Sequence, residues 1–485
     1  METSYPMKIF MLPFLAPGHQ IPMVHVAQLL SSRAHHVTIL TTPSNAHLLA
    51  EADKTITVTI HTLHFPSDQV GLPLGVENLS AAGDNTTASK IYSAAHLIRS
   101  EVESFMKQSP PDVFIPDTMY TWSRDVANRL GIPRLIFNTS FIFHVAVMEA
   151  IRSHPEILVD CDDTAPYAIP GLPQPITLSV KPSPGYLQHM ESLADSESDS
   201  LGVIVNSFKE LDGDYIQRYE IITGRKVWHL GPTFLMVQKT LPIGQRSSDA
   251  GEGENECLRW LSTKKEGSVV YACFGSLLHL PDKQLFEIAA GLEASGHQFV
   301  WVVRRNKRKK GDEDETEEKW LPDGFEERMK KEERGMVIRG WAPQAFILKH
   351  VAVGGFLTHC GASSVIEAVS AGVVTITMPR IADQFSNEKL MSQVHGVGVE
   401  VGGAEWSLSP FDEKKRVVSA KMIEKAVRKV MDGGDEAEKM KKKAKEMKEK
   451  ALRAVKEGGS SQQSLLEMIQ QLERLTSSAS ASTIF

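Results

Sequence analysis

The sequence predicts an α/β protein with two domains, each built on a doubly wound parallel sheet. Three observations predict it. Short runs rich in Val and Ile recur along the chain, mostly without polar alternation, and strands buried on both faces read this way. Helix-like stretches separate the runs, and strand–helix–strand repetition builds a parallel sheet. The pattern then restarts after Gln245–Asn255, a polar Gly- and Ser-containing segment with no apolar face, which reads as a linker.

In the first half the expected strands are Lys8–Leu12, Val37–Thr41, Val58–Leu63, Val113–Ile115, Arg134–Phe137 and Val203–Asn206, with helices such as Met23–Ser32 and Lys90–Lys107 between them. In the second half they are Val269–Phe274, Phe299–Val303, Met336–Ile338, Gly355–Leu357 and Val374–Thr377. Gly71–Ser89 and Pro170–Ser200 read as irregular loops because Gly, Pro and Ser crowd them. A last helix near Ser464–Leu475 carries Leu465, Ile469 and Leu472 on one face and must pack on something. The expected organisation is an N-terminal domain over 1–244, a linker over 245–256, a second domain over 257–460, and a terminal helix with a polar tail over 461–485.

Composition narrows the class. The chain has 485 residues, 42% hydrophobic and 23% charged, which fits a globular protein and excludes a disordered or collagen-like one. Its 53 basic and 60 acidic side chains give a formal charge of −7, so nucleic acid and anionic membranes are poor partners. Cys161, Cys257, Cys273 and Cys360 form no CxxC pair; a reducing, cytoplasmic setting is expected. The start lacks the basic region of a signal peptide, and no apolar run reaches the roughly 18 residues of a membrane span. The basic run Arg304–Lys310 and the acidic run Asp312–Glu318 read as a solvated insertion with self-compensating charge. Glu436–Lys456 reads as an exposed helix with Glu/Lys pairs.

Three segments can carry chemistry. The first is Ala16-Pro17-Gly18-His19-Gln20-Ile21-Pro22, after the first strand and before a helix. Ligands of open parallel sheets bind at the carboxyl ends of the strands. Pro22 suits a first helical turn. A helix N-terminus favours the neutral imidazole that a general base needs. The segment alone leaves two readings open for His19: a base, or a loop histidine bonded to backbone.

The second is Pro111–Asp117. Asp117 ends a short buried strand and can meet His19 if the two strands are neighbours. There it would orient the ring and stabilise the imidazolium. Its other reading is a helix N-cap for Trp122–Leu130, and Asp112 is the nearest competing carboxylate.

The third runs from Trp341-Ala342-Pro343-Gln344 through Gly354–Ser364 and Glu367 to Asp383-Gln384. A strand reaches Thr358, His359-Cys360-Gly361 turns, and a helix follows until Gly372. Backbone N–H groups, Ser363, Ser364 and an imidazole converge at that helix start, a cradle sized for a diphosphate. Glu367 lies one turn further on and can accept from ribose hydroxyls. Trp341 offers a flat face to a base, unless it is ordinary core.

This third segment resembles the signature box of the plant secondary-product UDP-glycosyltransferases, the soluble branch of glycosyltransferase family 1. The likeness rests on its length, its Trp341-Ala-Pro-Gln344 start, its Thr358-His-Cys-Gly361 core and its Asp383-Gln384 end. Pro17-Gly18-His19, Asp117, Glu256–Leu261 and Ser268–Ser276 extend it over nearly the whole chain. The resemblance implies the GT-B fold, two Rossmann-like domains facing across a cleft, with the terminal helix crossing back to the first. It implies an inverting transfer of a sugar, glucose above all, from a UDP-sugar to a hydroxyl of a hydrophobic acceptor such as a terpenoid, saponin or flavonoid. His19 would be the base and Asp117 its partner. Trp341 would stack on uracil, with the Ala342 backbone beside it. Gln344 and Glu367 would hold ribose. Ser276, His359, Gly361, Ser363 and Ser364 would hold the diphosphate. Thr139 would contact phosphate or sugar, and Asp383 and Gln384 the sugar hydroxyls.

A monomer with no metal and no bound cofactor is expected. Asp160-Cys161-Asp162 has DxD spacing but lacks a strand before it. The chain departs from the family at Ala362 and Ser363, where Trp-Asn is usual. That opens space near the sugar and leaves two further readings: another donor sugar, or an acceptor that already carries sugars. Two rivals belong to other classes. A nicotinamide oxidoreductase needs G-x-G-x-x-G after the first strand, and Ala16–Ile21 lacks it. A catalytically silent nucleotide-sugar binder would keep the fold without turnover.

Overall fold

Parallel pairing around two central strands organises the protein in the computed structural model, which describes residues 6–52, 58–159, 166–240, 252–304, 320–403, 405–407, 409–411 and 416–482. Asp160-Cys161-Asp162, residues 305–319 of the two charge runs, and residues 245–251 of the expected linker lie outside the described residues.

The strands are β1 (Lys8–Leu12), β2 (His36–Thr41), β3 (Thr59–Thr62), β4 (Val113–Pro116), β5 (Ile136–Asn138), β6 (Tyr167–Ile169), β7 (Ile176–Leu178), β8 (Gly202–Val205), β9 (Lys226–His229), β10 (Val269–Cys273), β11 (Gln298–Val303), β12 (Gly335–Arg339), β13 (Val353–Thr358), β14 (Val374–Thr377) and β15 (Gly398–Glu400). Contacts divide the chain into two units. The first holds Met1–Ala146, Leu187–Arg246 and Leu452–Phe485; the second holds Val147–Tyr186 and Ser247–Ala451.

In the first unit the order is β3-β2-β1-β4, all parallel, with β5-β8-β9 beside it. Isolated parallel bridges Phe114↔Arg134 and Asp117↔Phe137 carry the sheet from β4 to β5. Ile9, Met11, Val113, Ile115 and Phe137 are buried in one core. The terminal helix Ser460–Ser482 joins that core through Leu465, Met468, Ile469 and Leu472. Its start is pinned where Ser460 Oγ donates to Glu210 at 2.8 Å and Ser461 Oγ to the Gly231 carbonyl.

In the second unit the order is β12-β11-β10-β13-β14-β15, again all parallel. Chain direction across each sheet reverses at one place, between β1 and β4 in the first and between β10 and β13 in the second. Such a switch point opens a crevice at the carboxyl ends of its strands.

Several boundaries differ from the sequence reading. The helix expected from Met23 starts at Pro17, because the Ala16 carbonyl already accepts from the His19 and Gln20 amides at 3.0 Å. Pro22 therefore lies inside the helix. Lys90–Lys107 breaks at Ile98 into Asn85–Leu97, capped by Asp84, and Arg99–Gln108. Pro170–Ser200 is not irregular; it contains β7 and the helix Pro184–Glu197. Strands β9 and β15 were not anticipated, and residues 252–256 open the helix Glu252–Ser262. The contact boundary also departs from 244. Val147–Tyr186 clusters with the second unit, where Thr177 exchanges backbone hydrogen bonds with the Gln393 side chain at 2.9 and 3.0 Å and Tyr186 packs against Trp406.

Candidate active site

At the first switch point β1 and β4 end side by side, Leu12 opposite Pro116. The chain leaving β1 turns through Pro13–Ala16 into the helix Pro17–Ser31 and puts His19 on its first turn. The chain leaving β4 is held against β1 by the Asp117 amide, which donates to the Leu12 carbonyl at 2.9 Å. Adjacent strand ends thus bring together residues 98 positions apart. His19 Nδ1 lies 2.8 Å from Asp117 Oδ2.

The Asp117 side chain is fully buried and that of His19 is 21% exposed. Asp117 Oδ1 accepts from the Met119 amide at 3.0 Å, so the carboxylate is gripped at both oxygens. It caps no helix: Ser123–Leu130 starts after Trp122 without a side-chain cap. The competing Asp112 sits at the other end of β4 and accepts from the Lys8 amide at 2.7 Å. A carboxylate on Nδ1 keeps the proton there and leaves the lone pair on Nε2, the tautomer of a general base. Thr139 Oγ1 lies 3.4 Å from the same Nδ1. Phe14 meets the imidazole edge-on at 5.5 Å between centroids, with Tyr92 stacked on its ring at 5.3 Å and Tyr120 edge-on at 5.5 Å. One side of His19 is therefore an aromatic wall.

At the second switch point Cys273 of β10 pairs with Thr358 of β13. Beyond them His359 is 9% exposed, and its ring is wedged between two glycines. A Cβ on Gly275 would fall 2.7 Å from it and one on Gly361 2.6 Å. Gly275 also has φ +76°, where a side chain is strained. Burial pushes the His359 imidazole down to about 4, so it is neutral at pH 7. Its Nδ1 is buried with no hydrogen-bond partner among the described residues. Cys360 takes φ +63°, and Gly361 opens the helix Ala362–Ala371 with no side chain capping it. The amides of that first turn are open to an anion.

Hydrogen bonds tie several other residues of this segment to that turn and helix. Gln344 Nε2 donates to Ser364 Oγ at 3.1 Å and to Glu367 Oε2 at 2.8 Å. Desolvation pushes the Glu367 carboxyl up to about 7, against the Gln344 bond and Lys349. Trp341 follows Gly340 after β12 and is 74% exposed, which rejects the core reading of its indole; Ala342 packs on the apolar core beneath. Ser276 follows Gly275, and its carbonyl accepts from Arg304 Nη1 at 2.5 Å. Gln384 Oε1 accepts from the Arg380 and Ile381 amides at 2.9 and 3.1 Å, so Nε2 is what it can offer a ligand. Asp383 accepts from Asn387 Nδ2 at 2.9 Å, and the same nitrogen donates to the Cys360 carbonyl at 2.9 Å.

Three positions escaped the sequence reading. Arg304 reads there as the first member of a basic run, yet it directly follows β11; only the strand order puts it beside Ser276. Asn387, three residues past Gln384, ties Asp383 to the His359–Gly361 turn. Glu197 lay in an expected loop. Among the described residues no group of three or more His, Cys, Asp or Glu side chains gathers as a metal site would require, and no helix is long and apolar enough to cross a membrane.

The family model described as UDP-glucoronosyl and UDP-glucosyl transferase matches residues 8–433. UDP-glucosyl transferase 73CC6 of Saponaria officinalis is 43% identical over 480 residues, 97% of either chain. UDP-glucose flavonoid 3-O-glucosyltransferase 7 of Fragaria ananassa is 40% identical across 90% of this chain and 91% of its own. Among solved structures, UGT73P12 of Glycyrrhiza uralensis complexed with glycyrrhetinic acid 3-O-monoglucuronide is 34% identical. It aligns with 99% of this chain and 98% of its own at a TM-score of 0.87. The fold class is GT-B, as the sequence led us to expect.

Proposed function

Because this chain belongs to the UDP-glucoronosyl and UDP-glucosyl transferase family, and is therefore a glycosyltransferase using a UDP-sugar and a small-molecule acceptor, we propose that it transfers glucose to a hydroxyl of a hydrophobic plant metabolite, a terpenoid, saponin or flavonoid, with inversion at the anomeric carbon. The observation that carries this reading is the 2.8 Å contact between His19 Nδ1 and Asp117 at the switch point of the first sheet.

In this mechanism His19 Nε2 takes the proton of the acceptor hydroxyl. The oxygen attacks C1 of the sugar, the C1–O bond to the diphosphate breaks, and UDP leaves with the bonding pair. An α-linked donor gives a β-glycoside. Asp117 holds the tautomer and stabilises the imidazolium. A positioned base contributes about 10²–10⁴-fold, and alignment of the two substrates several kcal/mol more. In the second unit Trp341 and the Ala342 backbone take the uracil. Gln344 and Glu367 take the ribose, and Ser276, His359, Gly361, Ser363 and Ser364 the diphosphate. Asp383 and Gln384 take the sugar, and Thr139 of the first unit takes phosphate or sugar. The exposed indole of Trp341, the His359 Nδ1 without a partner among the described residues and the helix at Gly361 without a side-chain cap support these assignments.

A second reading keeps the reaction and changes a substrate: a donor other than glucose, or an acceptor already glycosylated. Ala362, where the family usually has Trp, supports it, as does the glucuronide held by the Glycyrrhiza structure. Buried Cys257, Cys273 and Cys360, free of disulfides among the described residues, support a cytoplasmic location, and we propose a monomer without a metal cofactor. A panel of UDP-sugars against triterpenoid, triterpenoid-glycoside and flavonoid acceptors, read by mass spectrometry, tests the proposal. UDP-glucose with a free aglycone is the expected productive pair. Binding without turnover across the panel refutes the enzyme assignment.

A further inference from the structure

One buried carboxylate holds the two loops behind His19. Glu197 ends the helix Pro184–Glu197 and is 4% exposed. It accepts from Thr118 Oγ1 at 3.2 Å, from Tyr219 OH at 2.9 Å and from Asn138 Nδ2 at 3.5 Å, with Arg225 Nη1 at 3.7 Å. Thr118 is the residue after Asp117, and Asn138 the residue before Thr139. Both are buried, at 4% and 7% exposure. The loops are also joined by the Thr118 amide, which donates to the Phe137 carbonyl at 2.9 Å. Asn138 Oδ1 turns its own loop by accepting from the Ser140 amide at 3.0 Å. Behind Glu197, the buried Arg134 donates to the Ser196 carbonyl at 2.6 Å and to Ser123 Oγ at 3.1 Å, anchoring the end of the helix that presents the carboxylate.

Between β4 and β5 the described residues form isolated bridges, Phe114↔Arg134 and Asp117↔Phe137, rather than a continuous ladder, so side-chain bonds at the strand exits add to the few backbone ones. We propose that Glu197 is a positioning residue for the His19–Asp117 pair, clamping the exits of β4 and β5 through Thr118 and Asn138 so that Asp117 stays aimed at His19 Nδ1. The proposal rests on the reading of His19 as the general base. A preorganised pair depends on such support, because a displacement of well under 1 Å weakens a charge-assisted hydrogen bond steeply. Glu197 touches neither the imidazole nor Asp117 by hydrogen bond, so it acts through its neighbours.

Removing the carboxylate outright leaves Thr118, Tyr219 and Asn138 without their acceptor, and Arg225 without its ion-pair partner, in a buried place, and Glu197→Ala is set aside for that reason. Thr118→Val keeps Glu197 and its other partners and deletes one arm of the clamp. Its kcat is expected to fall about 10-fold, with KM for UDP-glucose within about 2-fold. The acid limb of kcat/KM moves to lower pH, since a looser Asp117 stabilises the imidazolium less. In an Asp117→Asn background the same change adds less than about 2-fold, because the arm has nothing left to aim. Glu197→Gln keeps an acceptor for Thr118 and retains at least about a third of wild-type kcat. Wild-type turnover by Thr118→Val overturns the proposal, and so does an equal loss in both backgrounds, the mark of a merely structural role. Wild-type turnover by Asp117→Asn alone overturns the general-base reading itself, which is a separate result.

Discussion

His19 and Asp117 meet at 2.8 Å although 98 positions separate them, and Asp117 is fixed at its second oxygen by the Met119 amide. Two substitutions test what the contact does. His19→Ala is expected to lose about 10²–10⁴-fold in kcat while UDP binding, which we assign chiefly to residues from Trp341 to Gln384, stays unchanged. Asp117→Asn, which leaves the shape intact, is expected to lose about 10²-fold or more. Steady-state kinetics beside calorimetric UDP titration separate the two effects. Near-normal turnover by His19→Ala removes it from the mechanism.

Trp341 is 74% exposed, so its indole adds little to the unliganded fold. Trp341→Ala is expected to weaken UDP about 5- to 10-fold, the order of a lost stacking contact, and Trp341→Phe to recover part of it. The melting temperature without ligand should not move by more than about 1 °C. A large drop in that temperature sinks the stacking role and restores a packing one.

Glu367 makes the second unit sensitive to pH. Its folded-state carboxyl is pushed up to about 7, above the ordinary value of 4.5. Between those values the folded protein binds more protons than the unfolded chain, so stability is fully present below about 4.5 and declines as pH rises toward 7, by up to roughly 3 kcal/mol. Glu367→Gln cannot titrate and should flatten that part of the curve. Urea denaturation of both proteins at pH 5, 6 and 7.5 compares the slopes; equal slopes contradict the assignment. On the proposed role the carboxylate form is the one that accepts from ribose, so KM for UDP-glucose should fall as pH rises through 7 in the wild type only.

Gly275 carries both a positive φ and the close face of the His359 ring. Gly275→Ala is expected to cost about 1–3 kcal/mol and to push the imidazole aside. UDP affinity should drop more than in Gly296→Ala, where φ is also positive at +77° but nothing stands within 4 Å. Parallel titrations with UDP decide; equal losses in the two variants refute a role for the ring's seat.

Leu472 is fully buried in the core shared by β1 and the terminal helix. Leu472→Ala is expected to destabilise the first unit by about 2–5 kcal/mol, seen as a lower denaturation midpoint. Leu466→Ala, on the exposed side at 49%, should cost under about 1 kcal/mol.

The strands that build the two sheets were legible because their residues are buried on both faces and read as unbroken apolar runs. Val374–Thr377 and Lys8–Leu12 match to the residue. Lys226–His229 was missed because Lys and His frame its two apolar residues, and Gly398–Glu400 because three residues carry no period. Pro184–Glu197 was missed because Pro, Gly and Ser at its start read as loop, while the groups that hold its end, Ser196 and Glu197, are polar and take their partners from Arg134, Thr118 and Tyr219 far along the chain.

The sequence by itself determined the alternation of strands and helices, the Gly-rich turn at His359 and the kinds of group available to bind a nucleotide, since each depends on neighbours a few residues apart. Tertiary structure alone decided that β1 lies beside β4 and β10 beside β13. From that order come the meeting of His19 with Asp117 and the seat of His359 against Gly275. Strand order is set by burial of the helices on both sheet faces, a property of the whole chain that no local spacing records.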